Sequence, residues 1–554
     1  MDEARPWLRS YPEGVPAEID PAQYSSLKEL LERSFREHAA LTAFSNSGAE
    51  LTYAEVDRLS RQFAAYLQSG TALKPGDRVA IMMPNLLQYP VVLFGILRAG
   101  MVVVNVNPLY TARELEHQLS DSGARVIVVL ENFAHTVQRA LSESVVDKVI
   151  VTEIGDQFPF LKRVITNFVV RYVKRLVPSW QIDAAERYRK VLTEGEDLTY
   201  NDVEVGPEDI AFLQYTGGTT GVAKGAVLSH RNMVSNVLQA AAWARPFIAG
   251  RGDVAITPLP LYHVFSLTAN LLCFIELGGH DLLITNPRDL PGFIRELKRG
   301  PFAYITGVNT LFVALVNTPG LGDVDFSRLK VSMGGGMAVQ GSVSDEWQAM
   351  TGQPLAQGYG LTETSPVVSA TPLDGRAYNG SVGLPVPSTE VAICDEAGTF
   401  LGLGEAGEIC VRGPQVMRGY WNRPEATAEV LSDDGWLKTG DIGRMDEKGF
   451  VFIEDRKKDL ILVSGFNVYP NEVEDVVVSH PGVLEAAVVG VQDERSGEAV
   501  RLFAVKKDPS LTKAELIEYC RESLTGYKIP REVIFKDELP KTNVGKVLRR
   551  ALRE

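Results

Sequence analysis

Apolar residues in the first half of this chain come in short unbroken runs separated by amphipathic stretches. That rhythm marks strands buried on both faces alternating with helices. Residues 78–83 read as an apolar strand, 86–97 as a helix and 101–106 as a Val-rich strand. Thr111 caps a polar helix reaching Ser122, and 125–130 and 148–152 are further strands. Upstream, Thr52 stands ahead of Val56, Leu59, Phe63 and Leu67, a helical spacing behind a capping hydroxyl. The alternation returns from 255 to 332. It predicts an α/β fold of two subdomains, each a parallel sheet covered on both faces. Gly and Pro punctuation is dense from about 382 to 453, where an antiparallel β-rich piece is expected. Beyond Arg456 a helix over 470–479, strands over 483–491 and 499–506, and a helix over 512–524 predict a small α+β domain.

One segment breaks this rhythm. Residues 158–182 hold Lys162, Arg163, Arg171, Lys174 and Arg175 with a single acid-free stretch around them, interleaved with Val164, Ile165, Phe168, Val169, Tyr172, Val173, Leu176 and Trp180. A basic amphipathic helix with aromatic residues suits an anionic membrane surface. A helix packed on the core with a solvated basic face fits the same pattern, and the sequence leaves both open.

Composition narrows the class. A chain of 554 residues exceeds what one hydrophobic core supports, and 45% hydrophobic with 23% charged residues is globular. A formal charge of −14 argues against nucleic acid as a partner. The four cysteines, 273, 394, 410 and 520, form no Cys-x-x-Cys pair and read as buried thiols in a reducing compartment. Met1-Asp2-Glu3-Ala4-Arg5-Pro6 does not resemble a secretory leader, and the longest apolar run, 91–104, is interrupted by Arg98 and too short to span a bilayer. A cytoplasmic location is expected, with 158–182 as the one candidate for peripheral contact at the inner membrane.

The candidate chemistry starts at 215–225, Tyr-Thr-Gly-Gly-Thr-Thr-Gly-Val-Ala-Lys-Gly. Its glycines let backbone amides turn toward a ligand, while threonine hydroxyls and Lys224 add donors and charge, so the run reads as a polyphosphate loop. No Gly-Lys-Ser/Thr follows, which excludes a Walker A loop. A strand over 210–215 and a helix from Asn232 place it in a strand–loop–helix setting. Downstream, in order, stand Gln357-Gly358-Tyr359-Gly360-Leu361-Thr362-Glu363-Thr364, Thr439-Gly440-Asp441, Asp455-Arg456-Lys457-Lys458-Asp459, and Pro540-Lys541-Thr542-Asn543-Val544-Gly545-Lys546.

With these motifs in sequence, nearly the whole chain resembles the adenylate-forming superfamily of acyl- and aryl-CoA synthetases, luciferases and peptide-synthetase adenylation domains. The 434–443 stretch leading to 455–458 resembles the fatty-acyl-CoA-synthetase signature. The resemblance implies an N-terminal domain over 1–456 and a small mobile C-terminal domain over 457–554. It implies ATP, Mg²⁺ and coenzyme A, and activation of medium- to long-chain fatty acids through acyl-AMP. An aryl or other carboxylate–CoA ligase, or an acyl-AMP ligase feeding a carrier protein, is the alternative. No acyl-AMP-ligase insert follows Asp459, which favours CoA. Homodimers occur among such proteins, and the sequence leaves the oligomeric state open.

The same resemblance distributes roles. Thr216, Gly217, Gly218, Thr219, Thr220 and Lys224 hold phosphates, with Thr216 also beside the metal. Gly334, Gly335 and Gly336 admit the adenine, against the flat face of Tyr359 and the backbone of Gly360. Thr362 bonds a phosphate oxygen, Glu363 holds Mg²⁺, and Asp441 and Arg456 take the ribose. Lys546 bridges carboxylate and α-phosphate, Lys458 is the hinge, and Gly465 and Phe466 line the path of CoA. His263 lines the carboxylate site, with Phe265, Leu267, Tyr304, Val308, Asn309 and Leu311 expected to shape an acyl tunnel; a satisfied core histidine is the competing reading.

Overall fold

The structure is a computed structural model describing residues 5–141, 144–216, 223–248, 251–376, 378–464, 466–493, 496–542 and 545–553. Among these residues the strands form four sheets. In the first subdomain, Arg78–Met82 lies between Val102–Asn105 and Val126–Leu130, all parallel, in a seven-stranded sheet. The helices expected around it form behind real caps. Thr52 and Glu55 make a capping box at Tyr53–Ser69, and Thr111 and Glu114 make another at Ala112–Ser122. A second, nine-stranded sheet runs its parallel core through Val254–Thr257, Tyr304–Gly307, Val331–Gly335 and Leu355–Gly360.

The β-rich piece is an antiparallel sheet of Glu390–Cys394, Gly407–Arg412, Leu437–Met445 and Val451–Arg456. Five residues after Arg456 the chain enters a different sheet at Ile461–Val463, joined by Val483–Asp493, Gly497–Lys506 and Glu532–Lys536. Val473, Val477, Val488, Leu502 and Leu516 close a core under it that is separate from the main one. The order of α/β subdomains, β-rich sheet and small α+β domain follows the sequence pattern.

Two local expectations change. The phosphate-loop motif does not lead straight into a helix: Lys224–Ser229 folds back antiparallel to Ile210–Thr216, with Thr216 opposite Lys224 and Tyr215 opposite Gly225. A Cβ on Gly225 would sit 3.0 Å from the Tyr215 ring, so a larger residue there would have to push the ring aside by a few tenths of an ångström. The following helix starts at His230 on the Ser229 cap, two residues before the expected Asn232.

The second change concerns 158–182. Phe160–Phe168 is α-helical and passes into a π-turn at Val169–Val173, but no residue of either is buried. Phe160, Leu161, Ile165, Phe168, Tyr172 and Val173 are exposed. Arg171 turns inward to Glu131, which is 2% exposed, and to Glu153 at 3.5 Å. The reading of a helix packed by its apolar face is corrected: the polar side is fastened and the apolar side faces out. Among the described residues no helix is long and apolar enough to cross a membrane.

Candidate active site

A cavity of about 620 Å³ is bounded by both α/β subdomains, the β-rich sheet and the small domain. Its charged end is assembled from distant parts of the sequence. Thr216 and Lys224, the two ends of the hairpin, both line it, and the Lys224 ammonium sits 5.2 Å over the ring of Tyr420. Gly217, Gly218, Thr219 and Thr220 lie outside the described residues. Glu363 lines the cavity and its Oε1 accepts the Tyr420 hydroxyl at 2.7 Å. Thr362 and Gly360 lie beside it. A Cβ on Gly360 would fall 1.9 Å from the carbonyl oxygen of Pro366, so only glycine fits where the strand turns into the cavity wall.

Asp441 joins two of the expected nucleotide contacts. Its Oδ2 accepts the Tyr359 hydroxyl at 2.7 Å and its Oδ1 meets Arg456 Nε at 3.0 Å. Desolvation pushes the Tyr359 phenol well up, and the neighbouring Asp441 carboxylate adds to that. Tyr359 therefore stays a neutral donor with a fixed ring. Of the three glycines, Gly335 and Gly336 line the cavity. Gly334 does not; a Cβ there would meet Val339 at 2.4 Å, so its smallness serves packing.

Lys546 enters from the small domain. A Cβ on Gly336 would lie 3.1 Å from Lys546 Cε, and Thr310 Oγ1 donates to the Gly545 carbonyl at 3.0 Å, seating the loop against the large domain. Desolvation and the nearby Arg456 pull the ammonium down to about 8. Desolvation and Lys546 likewise push His263 down to about 3, so the imidazole is neutral. Its Nδ1 accepts the Phe265 N–H at 3.4 Å, which leaves Nε2–H as the ring donor. Lys458 reaches the same cavity. Phe466 does not: it is exposed and stacked on Tyr527 at 4.9 Å, while Gly465 lies outside the described residues.

The opposite end is apolar. Phe265 and Tyr304 line it as expected, but Leu267, Val308, Asn309 and Leu311 are not among its walls. Those walls are Ala240, Trp243 and Ala244 from the His230–Ala244 helix, with Phe274, Val367, Ala370 and Leu373. Trp243 is held by its indole N–H donating to the Thr371 carbonyl at 3.1 Å. Sequence reading also missed a brace behind the hairpin. Asp121 accepts the Tyr215 hydroxyl at 2.6 Å and pairs with Arg423 at 2.6 Å, fixing a further cation on the cavity wall. The run Gly419-Tyr420-Trp421-Asn422-Arg423-Pro424 was the available signal.

Among the described residues no group of three or more His, Cys, Asp or Glu gathers to hold an ion. Glu363 is thus a single hard carboxylate, a donor set that suits Mg²⁺ arriving with phosphate oxygens rather than a closed protein cage.

Comparison with known proteins agrees with this geometry. The AMP-binding enzyme family matches residues 31–421, and the AMP-binding enzyme C-terminal domain matches 472–546. The chain is 59% identical over 548 residues to the long-chain-fatty-acid–CoA ligase of Yersinia pestis, covering 99% of this chain and 97% of that protein. It is 39% identical over 559 residues to the Bacillus subtilis protein of the same name, covering 100% of this chain and 98% of that one. The ATP-bound structure of MatB from Rhodopseudomonas palustris matches with a TM-score of 0.83 at 29% identity, over 95% of this chain and 98% of that one. With its matched domains covering both the large and the small unit, the chain belongs to the AMP-binding enzyme family.

Proposed function

We propose that this chain activates medium- to long-chain fatty acids with ATP, forming acyl-AMP and pyrophosphate, and then transfers the acyl group to coenzyme A with release of AMP. The observation that carries the reading is one cavity that brings Lys224, Glu363, Arg456 and Lys546 together with an uncharged wall around Trp243. A fatty carboxylate is a poor acyl donor until its oxygen is esterified to phosphorus. The first step is a displacement at the α-phosphorus, which needs positioning and charge neutralisation more than a protein nucleophile. Lys546 offsets the two negative groups brought together, Thr216, Thr362 and Lys224 hold phosphate oxygens, and Asp441 and Arg456 hold the ribose. Glu363 and Thr216 would hold Mg²⁺, which neutralises phosphate charge when bound. Neutral His263 donates from Nε2 toward the carboxylate. The apolar wall contributes about 0.8 kcal/mol for each methylene buried.

The reading includes a division at Arg456, with 457–554 moving about Lys458 so that the Gly465–Phe466 segment replaces the Lys546 loop for the CoA step. The exposed position of Phe466 supports that exchange. It also includes contact of the 158–182 segment with an anionic membrane, the source of an apolar substrate. The outward apolar face and exposed Lys174 and Arg175 support this. The deciding experiment incubates purified protein with Mg·ATP, CoA and a panel of short, medium, long and aromatic acids. AMP and pyrophosphate with long acids are expected; ADP and orthophosphate instead would overturn the proposal.

A further inference from the structure

Strand Val451–Arg456 ends with two residues that face opposite ways. Arg456 reaches into the cavity, while Asp455, 0% exposed, faces the small domain behind it. There Asp455 Oδ2 accepts the Asn471 N–H at 2.9 Å, in the first turn of the helix Pro470–Val478. Its Oδ1 lies 3.6 Å from the guanidinium of Arg549, three residues beyond Lys546. Arg549 is held on every side. It donates to Glu474 Oε2 at 2.8 Å and to Asn471 Oδ1 at 2.7 Å, and it stands 3.6 Å from Asp459. Burial works against its charge, yet Glu474 and Asp455 outweigh that and raise its pKa.

We propose that Asp455 and Arg549 are positioning residues that hold the Lys546 loop in the cavity, so that one strand end places both the ribose-binding Arg456 and the Lys546 ammonium. The proposal rests on the role given to Lys546 above. The loop needs such an anchor, because the Lys546 ammonium is placed where desolvation and Arg456 both oppose its charge. Its hydrogen bonds within the turn are local: Lys546 N donates to Thr542 Oγ1 at 3.1 Å and Gly545 N to the Thr542 carbonyl at 2.9 Å. Those fix the turn's shape; the Thr310 hydroxyl meets its tip at Gly545, and the Arg549 cluster anchors its base. The Arg549 cluster ties it to the large domain through a carboxylate adjacent in sequence to Arg456. Misplacing a group by an ångström costs on the order of 100-fold in rate.

The test compares Asp455→Asn, Arg549→Gln and the double variant with wild type in the two half-reactions. Asparagine keeps an acceptor for the Asn471 N–H and removes the charge facing Arg549; it also gives up the Oδ1 acceptor of the Arg456 N–H at 2.7 Å, a bond that Arg549→Gln leaves intact. Expected is a fall of at least tenfold in kcat for ATP–pyrophosphate exchange, with KM for ATP within twofold and thioester formation from supplied acyl-AMP within twofold. The double variant should fall no further than the worse single one, since the two act as a pair. Rescue of exchange by Arg549→Lys, which returns a cation, supports the assignment. Exchange at the wild-type rate in Asp455→Asn overturns it, as does an equal loss in both half-reactions, which would mark a folding fault. If wild type itself shows no exchange, the ligase reading fails and the positioning role fails with it.

Discussion

The ammonium of Lys546 faces the imidazole of His263 across the cavity, and its charge adds to desolvation in keeping that ring neutral. The two residues come from different domains, yet the lysine's charge bears on the histidine's protonation. Lys546→Ala is expected to abolish acyl-AMP formation and to leave thioester formation from supplied acyl-AMP intact. ATP–pyrophosphate exchange that survives the change would show that the lysine is not the bridging cation. Because the ammonium sits at about 8, kcat/KM for adenylation should fall as pH rises through that value. Lys546→Arg, charged throughout, should carry the alkaline limb upward.

Folding stability should also respond to acid through the histidine. In the folded chain His263 titrates at about 3, against ~6.5 when unfolded. Between those values the unfolded chain binds the extra proton, so stability rises with pH across the window and is lost as pH falls. Urea unfolding of His263→Asn should show a shallower loss between pH ~6.5 and ~4 than wild type. An identical slope would place that histidine outside the acid-sensitive set.

Lys458→Pro removes a backbone N–H and fixes φ at the turn between the two sheets. One half-reaction should persist while the other falls by at least tenfold. Full rates in both would exclude movement at this position.

The apolar end can be shortened from one helix. Ala240→Phe places a ring on the wall shared with Trp243 and Ala244. Competition between octanoate and oleate should turn against the longer acid by roughly tenfold, about 1.4 kcal/mol of binding lost over its added methylenes. An unchanged ratio would mean the chain runs elsewhere.

The outward helix gives a surface test. Phe160, Leu161, Ile165 and Phe168 changed together to Ser should cut sedimentation with vesicles containing anionic phospholipid by at least fivefold and leave activity on water-soluble octanoate within twofold. Equal sedimentation would remove the membrane from the proposal. Reversing the bases instead is a poor choice, since Arg171 is paired with Glu131.

Much of this architecture was legible from local pattern. The caps at Thr52 and Thr111 and the strand at Lys148–Thr152 stand where hydroxyl spacing and apolar runs put them, because those signals act within a few residues. What escaped depends on long-range pairing. Arg423 reaches the cavity wall through Asp121, 302 positions away; the run 419–424 marks Arg423 as unusual, but not which carboxylate it meets. Trp243 and Ala240 carry the same helical periodicity as core residues; only the packed sheets decide which apolar side chains border a void. The moment of the 158–182 helix was readable, but its outward sense was not, because the buried carboxylate of Glu131 that turns Arg171 inward belongs to another element.

The small domain has its own hydrophobic core, and from there it delivers the Lys546 ammonium to a cavity walled mostly by the large domain. Warming would melt this minor unit without disturbing the bigger body. Turnover should therefore vanish below the temperature at which most helical circular dichroism is lost.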